Sequence, residues 1–583
     1  MKRSDQLLCW FIAYFLFIIL LCWSTPLLEQ GLSLGKFLFW ASIVGQGLAA
    51  VIILILWKLD YRIKLAIVFL YGIFIYLPIF FFSPRFPLFQ DEVFHFQLFN
   101  LIYETGANTQ PSSVYSIFPS YPGLELMGTY LANILGISTF LCGRLLILLI
   151  HSALLILVFM IIRKITDSER IAFWGAIIYT TNASYSFFDS VFSYESMGIF
   201  LFMLILYLLI KKNDAKTFII VILSMCALII THPFSSYHLE LFLLIISLYF
   251  FTYLKDWSLF HKLVLYTALL CFWIACYAPM TISYFKSILL YRKQLLLSTP
   301  IFGVRGSYAF SPLPFYELFM NRYVYTILIV AGCIFGLIMV YKNRDLLRQR
   351  IAGYSLICYG VVLYLLTLPL TLKNGNDAIF RSWPFFFAGI ALLSGISLDL
   401  IWKHLLNIRG WKSVAGCIIL LIAVGSLIMG GYGLGAGSLL LTRPLQVYAS
   451  GPDAITADVF SCSDWFARYA GRNKIIYSDK TIQFVFGNIQ NVDLVKSREV
   501  FLADRYVSDR NKNSDVYVLV DIRITQRPAS YSTYFDGSLP FTVDGDTQRY
   551  GLEKPLPIRY IEKFDDSVWL DDIYDNGNLH LYH

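Results

Sequence analysis

Residues 65–95 read LAIVFLYGIFIYLPIFFF, from Leu65 to Phe82, and then at once SPRFPLFQDEVFH, from Ser83 to His95. The first eighteen carry no charge, which is enough apolar length for a transmembrane helix. The second stretch sets two adjacent carboxylates, Asp91 and Glu92, just outside the hydrocarbon, with His95 four residues after Asp91. That spacing puts Asp91 and His95 on one face of a short helix. A carboxylate there can take a proton from an attacking hydroxyl, hold a divalent cation such as Mg or Mn, or do both. The plainer reading is a solvated acidic loop with a capping Asp. No feature of the sequence fixes a metal requirement.

The rest of the chain repeats the first half of this pattern. Of 583 residues, 58% are hydrophobic and 14% charged, against about 25% charged in an ordinary soluble domain, so most of the chain belongs in a bilayer. Apolar runs fall at 7–23, 37–57, 65–82, 140–162, 171–187, 197–210, 217–230, 239–251, 263–280, 323–341, 351–370, 383–398 and 414–434. The expectation is about thirteen transmembrane helices over residues 1–440, then a soluble α/β domain over 441–583, with strands such as Asp515 to Ile522. The first run comes after Met1-Lys2-Arg3 but has no small-residue cleavage site, so it reads as a retained helix. Nine of the ten cysteines lie in or at apolar runs and Cys462 stands alone in the soluble part, which argues against a disulfide framework. Asp544-Gly545-Asp546 reads as a turn, since the remaining spacing of a calcium loop is absent.

The net charge of +8 does not point to nucleic acid, because its placement has another explanation. A cytoplasmic N-terminus gathers Lys58, Arg62 and Lys64, then Arg163, Lys164 and Arg170, then Lys211, Lys212 and Lys216 on one side. Lys255, Lys262, Lys342, Arg344, Arg348, Arg350, Lys403, Arg409 and Lys412 join them, which is the positive-inside asymmetry. The other side receives the Asp91 loop, the turn from Asn182 to Glu195, the turn from Thr231 to Ser236, the loops 281–322 and 371–382, and everything after Leu434. Asn182-Ala183-Ser184 matches a glycosylation sequon close to the membrane.

After the acidic pair come a Pro- and Tyr-rich turn, Tyr115 to Pro122, and an interrupted apolar stretch, Gly123 to Ile137, suited to a helix along the interface. A long span comes next. This order, within a first outer loop of 83–137, resembles the membrane glycosyltransferases of the GT-C fold. The resemblance extends to Tyr194-Glu195-Ser196, to Thr231-His232-Pro233-Phe234 and to Arg381-Ser382-Trp383-Pro384 at the opening of a late span. It extends also to Asp458–Ala470 with Lys474-Ile475-Ile476-Tyr477-Ser478-Asp479, like the helix and strand that open many exported domains of these enzymes. It is a likeness of placement with short motifs. More helices precede the Asp91 loop than the single one of the common arrangement, and no Trp-Trp-Asp signature is present, which disfavours transfer of a whole oligosaccharide to Asn.

The resemblance implies an enzyme that takes a sugar from a lipid-linked donor, polyprenyl-phosphate or polyprenyl-diphosphate, and passes it with inversion to a glycan, lipid or protein acceptor outside the cytoplasm. Asp91 is then the base, and Glu92 an alternate base, a metal ligand or a solvated acid. His95 either orients Asp91 or is an interfacial histidine. Glu195, costly if it faced lipid, faces the protein interior. His232 is either a helix-end residue or a phosphate ligand. Lys293 and Arg305, with Lys286, Arg292 and Arg322, break the positive-inside rule and suit an anionic donor or lipid headgroups. Arg381, at a helix start where the dipole gives it nothing, needs another partner, and in the family such an arginine faces the donor phosphate. The rival readings are a polysaccharide polymerase or ligase, a lipid or sugar flippase, and a plain membrane anchor.

Overall fold

The computed structural model describes the chain from residue 3 to residue 583 except 57–58, 107–116, 212–213, 256, 284–285, 287–318, 373–380, 409, 438–439, 442–454, 472–473, 479–481, 483–484, 487–492, 496–499, 502–515, 527–540, 544–545, 549–555 and 568–569. These residues form two compact units. The first is drawn from Met1–Phe82, Leu98–Gly306 and Leu313–Leu441, the second from Ser83–Gln97 and Thr442–His583.

Twelve of the thirteen apolar runs each fall largely on one helix, and the run 171–187 covers a break. In order the helices are α1 (Arg3–Glu29), α2 (Ser33–Leu56), α3 (Tyr61–Phe82), then α4 (Gln90–Thr105) and α5 (Gly123–Leu135), which were not among the runs, and α6 (Thr139–Thr166). They continue with α7 (Glu169–Tyr179), the one-turn α8 (Ala183–Ser186), α9 (Tyr194–Ile210), α10 (Ala215–Thr231), α11 (Pro233–Leu254) and α12 (Ser258–Cys276). The last four are α13 (Tyr325–Lys342), α14 (Arg350–Leu372), α15 (Trp383–Asn407) and α16 (Trp411–Tyr432). Ten of the described helices are long and apolar enough to cross a membrane, and the pair Ala183–Ser190 with Tyr194–Ile210, bent by 119°, makes an eleventh. The protein is a multi-pass membrane protein.

The run 171–187 is corrected by the structure, because it is not one helix. α7 stops at Tyr179, where the hydroxyls of Thr180 and Thr181 turn back to the carbonyls of Ile177 and Ile178 at 2.8 and 2.7 Å. Asn182 donates to the Tyr179 carbonyl at 2.7 Å and accepts from Tyr185 N–H at 2.8 Å, ending one helix and capping the next. Three consecutive side chains that compete for backbone groups break an apolar run that hydropathy reads as continuous.

α15 organises the first unit. From Trp383 to Asp399 it is buried on every side, as a helix apolar all round must be. α7, α13 and α14 pack around it. The approach of α14 is close: a Cβ built on Gly389 would lie 2.2 Å from the carbonyl oxygen of Leu356 and 3.1 Å from Cα of Gly360, so glycine is required where the two backbones meet. α5 buries Leu124, Glu125, Gly128 and Ala132 and exposes Tyr130, Ile134 and Leu135, the one-sided burial expected of a helix along an interface.

Ion pairs tie one end of the first unit together. Lys64 at the start of α3 meets Glu169 at 2.6 Å, and Arg163 near the end of α6 meets the same carboxylate at 3.6 Å. Buried Asp399, towards the end of α15, is paired with Arg170 of α7 and with Lys403 at 2.8 Å. Asp167 pairs with Arg348, just before α14.

The second unit has helix α17 (Ala457–Tyr469) and helix α18 (Arg559–Asp565). Its strands are β1 (Ile475–Tyr477), β2 (Asp493–Val495), β3 (Val516–Asp521), β4 (Phe541–Val543), β5 (Asp546–Gln548), β6 (Asp572–Asp575) and β7 (Leu579–Tyr582). Five form a mixed sheet in the order β2-β1-β3-β7-β6, with β1 parallel to β2 and β3 and the remaining pairs antiparallel. β3 is buried at nearly every residue because both faces are covered. Val518 and Val520 pack with Phe564 of α18, while Tyr517 on the other face meets Phe466 of α17 with ring centroids 5.0 Å apart. β4 and β5 form a separate hairpin in which Val543 pairs with Asp546; Asp544 and Gly545 lie outside the described residues.

Candidate functional site

In the second unit, the acidic loop is built around Leu88. Ser83 Oγ donates to the Phe86 carbonyl at 2.5 Å, turning the chain after α3. Leu88 N–H donates to the Glu92 carboxylate at 2.8 Å, and Ile455 N–H donates to the Leu88 carbonyl at 3.1 Å. Phe86 and Phe460 stack with centroids 4.8 Å apart and planes within 10°. Asp91 and Glu92 occupy the first turn of α4, where the partial positive charge of the helix start favours carboxylates. Their surroundings differ. Asp91 is half-buried, whereas Glu92 is fully buried and committed to the Leu88 amide. A solvated Glu92 is therefore excluded. His95 is buried, one turn beyond Asp91 on the same face of α4.

In the first unit, Glu195 opens α9 and is buried. Its Oε2 lies 3.5 Å from Nη1 of Arg381, whose guanidinium also sits 4.6 Å over the ring of Phe188. Two residues chosen separately from the sequence are thus neighbours. Asp189, in the short turn Phe188–Ser190 that precedes α9, is a third charged residue that no sequence motif marked. It is 1% exposed, neither carboxylate oxygen has a hydrogen-bond partner among the described residues, and Glu195 lies close enough to act on its charge. The available signal was an acid set between Phe188 and Ser190 beside an apolar run.

His232 ends α10 and caps α11. Its Nδ1 accepts from Ser235 N–H at 3.2 Å and lies 2.6 Å from Ser235 Oγ, and its ring is 4.6 Å from that of Tyr194. The helix-end role is therefore filled through Nδ1. Asn182 is fully buried in its capping role, so the sequon has no exposed acceptor amide. Glu125 and Arg144 are a further buried acid and guanidinium to which no sequence motif drew attention. Lys286 is exposed, while Arg292, Lys293 and Arg305 lie outside the described residues.

For a metal, the geometry offers a set of residues that their sequence spacing does not announce. Asp572, Asp575 and His580, on β6 and β7, bring their ligand atoms within 4.8 Å of one another. His580 already bridges the two acids, with Nδ1 2.9 Å from Asp572 and Nε2 3.5 Å from Asp575. As it stands this is a clasp between neighbouring strands.

The architecture has a counterpart among solved structures. The oligosaccharyltransferase of Archaeoglobus fulgidus in the apo form aligns over 80% of this chain and 70% of its own, with a TM-score of 0.51 at 11% identity. The chain has the GT-C fold. ArnT from Cupriavidus metallidurans, bound to undecaprenyl phosphate, aligns over 90% of this GT-C chain and 97% of its own at 12% identity with a TM-score of 0.49. The arabinofuranosyltransferase AftD from Mycobacteria covers 90% of this chain and 41% of its own at 14% identity, with a TM-score of 0.46. These two are too distant to add to the assignment. No family model matches the GT-C chain, and no curated protein does.

Proposed function

We propose that this protein is a membrane glycosyltransferase that moves one sugar from a polyprenyl-phosphate or polyprenyl-diphosphate carrier to an acceptor hydroxyl on the non-cytoplasmic side. The observation that carries the reading is the division of labour in the first turn of α4. Glu92 is fully buried with its carboxylate accepting from the Leu88 amide, whereas Asp91 beside it is half-buried and so the more accessible carboxylate of the pair. The GT-C fold supports the reaction class.

Asp91 takes the proton of the acceptor hydroxyl as its oxygen attacks the anomeric carbon. The bond from that carbon to the carrier phosphate breaks, and its electron pair leaves with the phosphate. A phosphate leaves without strong protonation, so one base suffices. Arg381, with Lys293 and Arg305 of the basic loop, stabilises the departing charge, and a guanidinium suits two phosphate oxygens at once. Within the first unit, Glu195 pairs with Arg381 and His232 fixes the start of α11. His95, buried one turn beyond on the same face of α4, orients Asp91. One displacement gives inversion.

The test is Asp91→Asn, inserted at wild-type level, in vesicles given a panel of labelled polyprenyl-phosphate sugars. Transfer is expected to fall by about 10² or more, the usual contribution of a general base. Full retention of transfer overturns the assignment of the base.

A further inference from the structure

The C-terminal region has no role in the proposed chemistry, yet it touches the acidic loop at two points. The loop from Ser83 to Phe89 contains Pro84 and Pro87, which lack amide donors. The Leu88 N–H is held by Glu92 and its carbonyl by the amide of Ile455, and Leu88 itself is fully buried. Two residues earlier, Phe86 lies flat on Phe460 of α17, which is 5% exposed. Asp91 adjoins Glu92, so what fixes Leu88 also bears on the first turn of α4 through the Glu92 carboxylate, beside the backbone bond from Val93 N–H to the Phe89 carbonyl at 3.2 Å.

We propose that Ile455 and Phe460 are positioning residues that hold the Asp91 turn from more than 360 positions further along the chain. The C-terminal region thereby sets the geometry of the candidate base. Neither residue touches substrate. Their effect passes through Leu88 and Glu92 to the carboxylate beside them. The catalytic consequence rests on the reading of Asp91 as base; the anchoring itself does not.

The experiment uses the full-length protein in nanodiscs and reads hydrogen–deuterium exchange of a peptide covering residues 83–97. Phe460→Ala and Phe86→Ala are each expected to speed exchange in this peptide about tenfold, on the scale of losing a protecting contact and weakening one hydrogen bond. The double variant is expected to go no further than the faster single variant, because both remove the same stack. Phe460→Tyr keeps the ring and restores protection. Ile455→Pro, which deletes the amide donor, gives a similar loss by the other route. Exchange of β3 serves as the control for folding, and if Phe460→Ala disturbs it, Phe86→Ala asks the same question from the loop side. Unchanged exchange of 83–97 in both Phe86→Ala and Ile455→Pro overturns the proposal. In the transfer assay Phe460→Ala lowers kcat and leaves KM for the labelled polyprenyl-phosphate sugar in place. Should Asp91→Asn stay fully active while protection is still lost, the base assignment fails and the anchor stands.

Discussion

Glu195 keeps 2% of its side chain exposed, and Arg381, which faces it, keeps 28% of its own. Buried Asp189 lies close enough to Glu195 to act on its charge, so Arg381 pairs with one of two neighbouring buried carboxylates. Arg381→Ala therefore does more than remove a phosphate ligand, since it withdraws the positive charge from a buried acid. A loss of about 1–3 kcal/mol is expected, below the cost of breaking a fully buried pair because the guanidinium is partly solvated. Arg381→Ala combined with Glu195→Gln is expected to recover most of that stability and none of the transfer activity. Thermal unfolding of the solubilised protein alongside the transfer assay checks both halves. A double variant no more stable than the single one would show that the ion pair is not what the substitution broke. Arg381 and Glu195 were legible in the sequence because each is a lone charge at the mouth of an apolar run. Asp189 was not, because its burial comes from how the chain folds back after α7, which hydropathy does not encode.

At the scale of elements, the thirteen apolar runs mark where the helices lie, while ten of the described helices, or eleven with the bent pair, are long and apolar enough to span, and one run is broken. A window average responds to the apolar content of 171–187 and is blind to Thr180-Thr181-Asn182, whose side chains satisfy the backbone and stop the helix. It is equally blind to helix contacts that depend on a missing side chain. Gly389→Ala puts a methyl 2.2 Å from the Leu356 carbonyl oxygen, where the obstacle is backbone and cannot rotate away. Gly332→Ala meets only the Ser394 hydroxyl at 3.2 Å, which can. The first is expected to destabilise by about 1–3 kcal/mol and the second by well under 1. Melting temperatures of the two variants decide it. Equal shifts would mean that α14 and α15 tolerate separation, against their close crossing. The exported-domain motifs were legible for the opposite reason: α17 and β1 are short, amphipathic and bounded by Gly471, so pattern and structure coincide over Ala457–Tyr469 and Ile475–Tyr477.

For the molecule as a whole, the direction of α7 decides on which side the C-terminal region lies. α7 has 11 residues, a rise of roughly 16 Å, short for a span of about 30 Å. Its two ends nevertheless reach opposite ends of α15. Arg170 pairs with Asp399, and the Tyr179 hydroxyl donates to the Pro384 carbonyl at 3.0 Å. Those α15 residues stand roughly 23 Å apart along the helix, and the long side chains of Arg170 and Tyr179 supply the difference. α7 thus runs antiparallel to α15, from the end gathered by Lys64, Arg163 and Lys403 to the end that holds Arg381 and Glu195. Counting both α7 and the 17-residue apolar helix α10 as crossings beside the eleven spans keeps the total among the described residues odd. The positive-inside rule predicts that the basic end faces the cytoplasm, and an odd count then predicts that the chain leaves the membrane after α16 on the other side. With an epitope at each terminus, protease added to sealed right-side-out vesicles is expected to remove the C-terminal epitope and spare the N-terminal one. Loss of both, or of neither, would make the count even and take α7 or α10 out of the crossings. Loss of the N-terminal epitope alone would place Arg381 and Glu195 on the cytoplasmic side, where a donor delivered outside the cell membrane could not reach them.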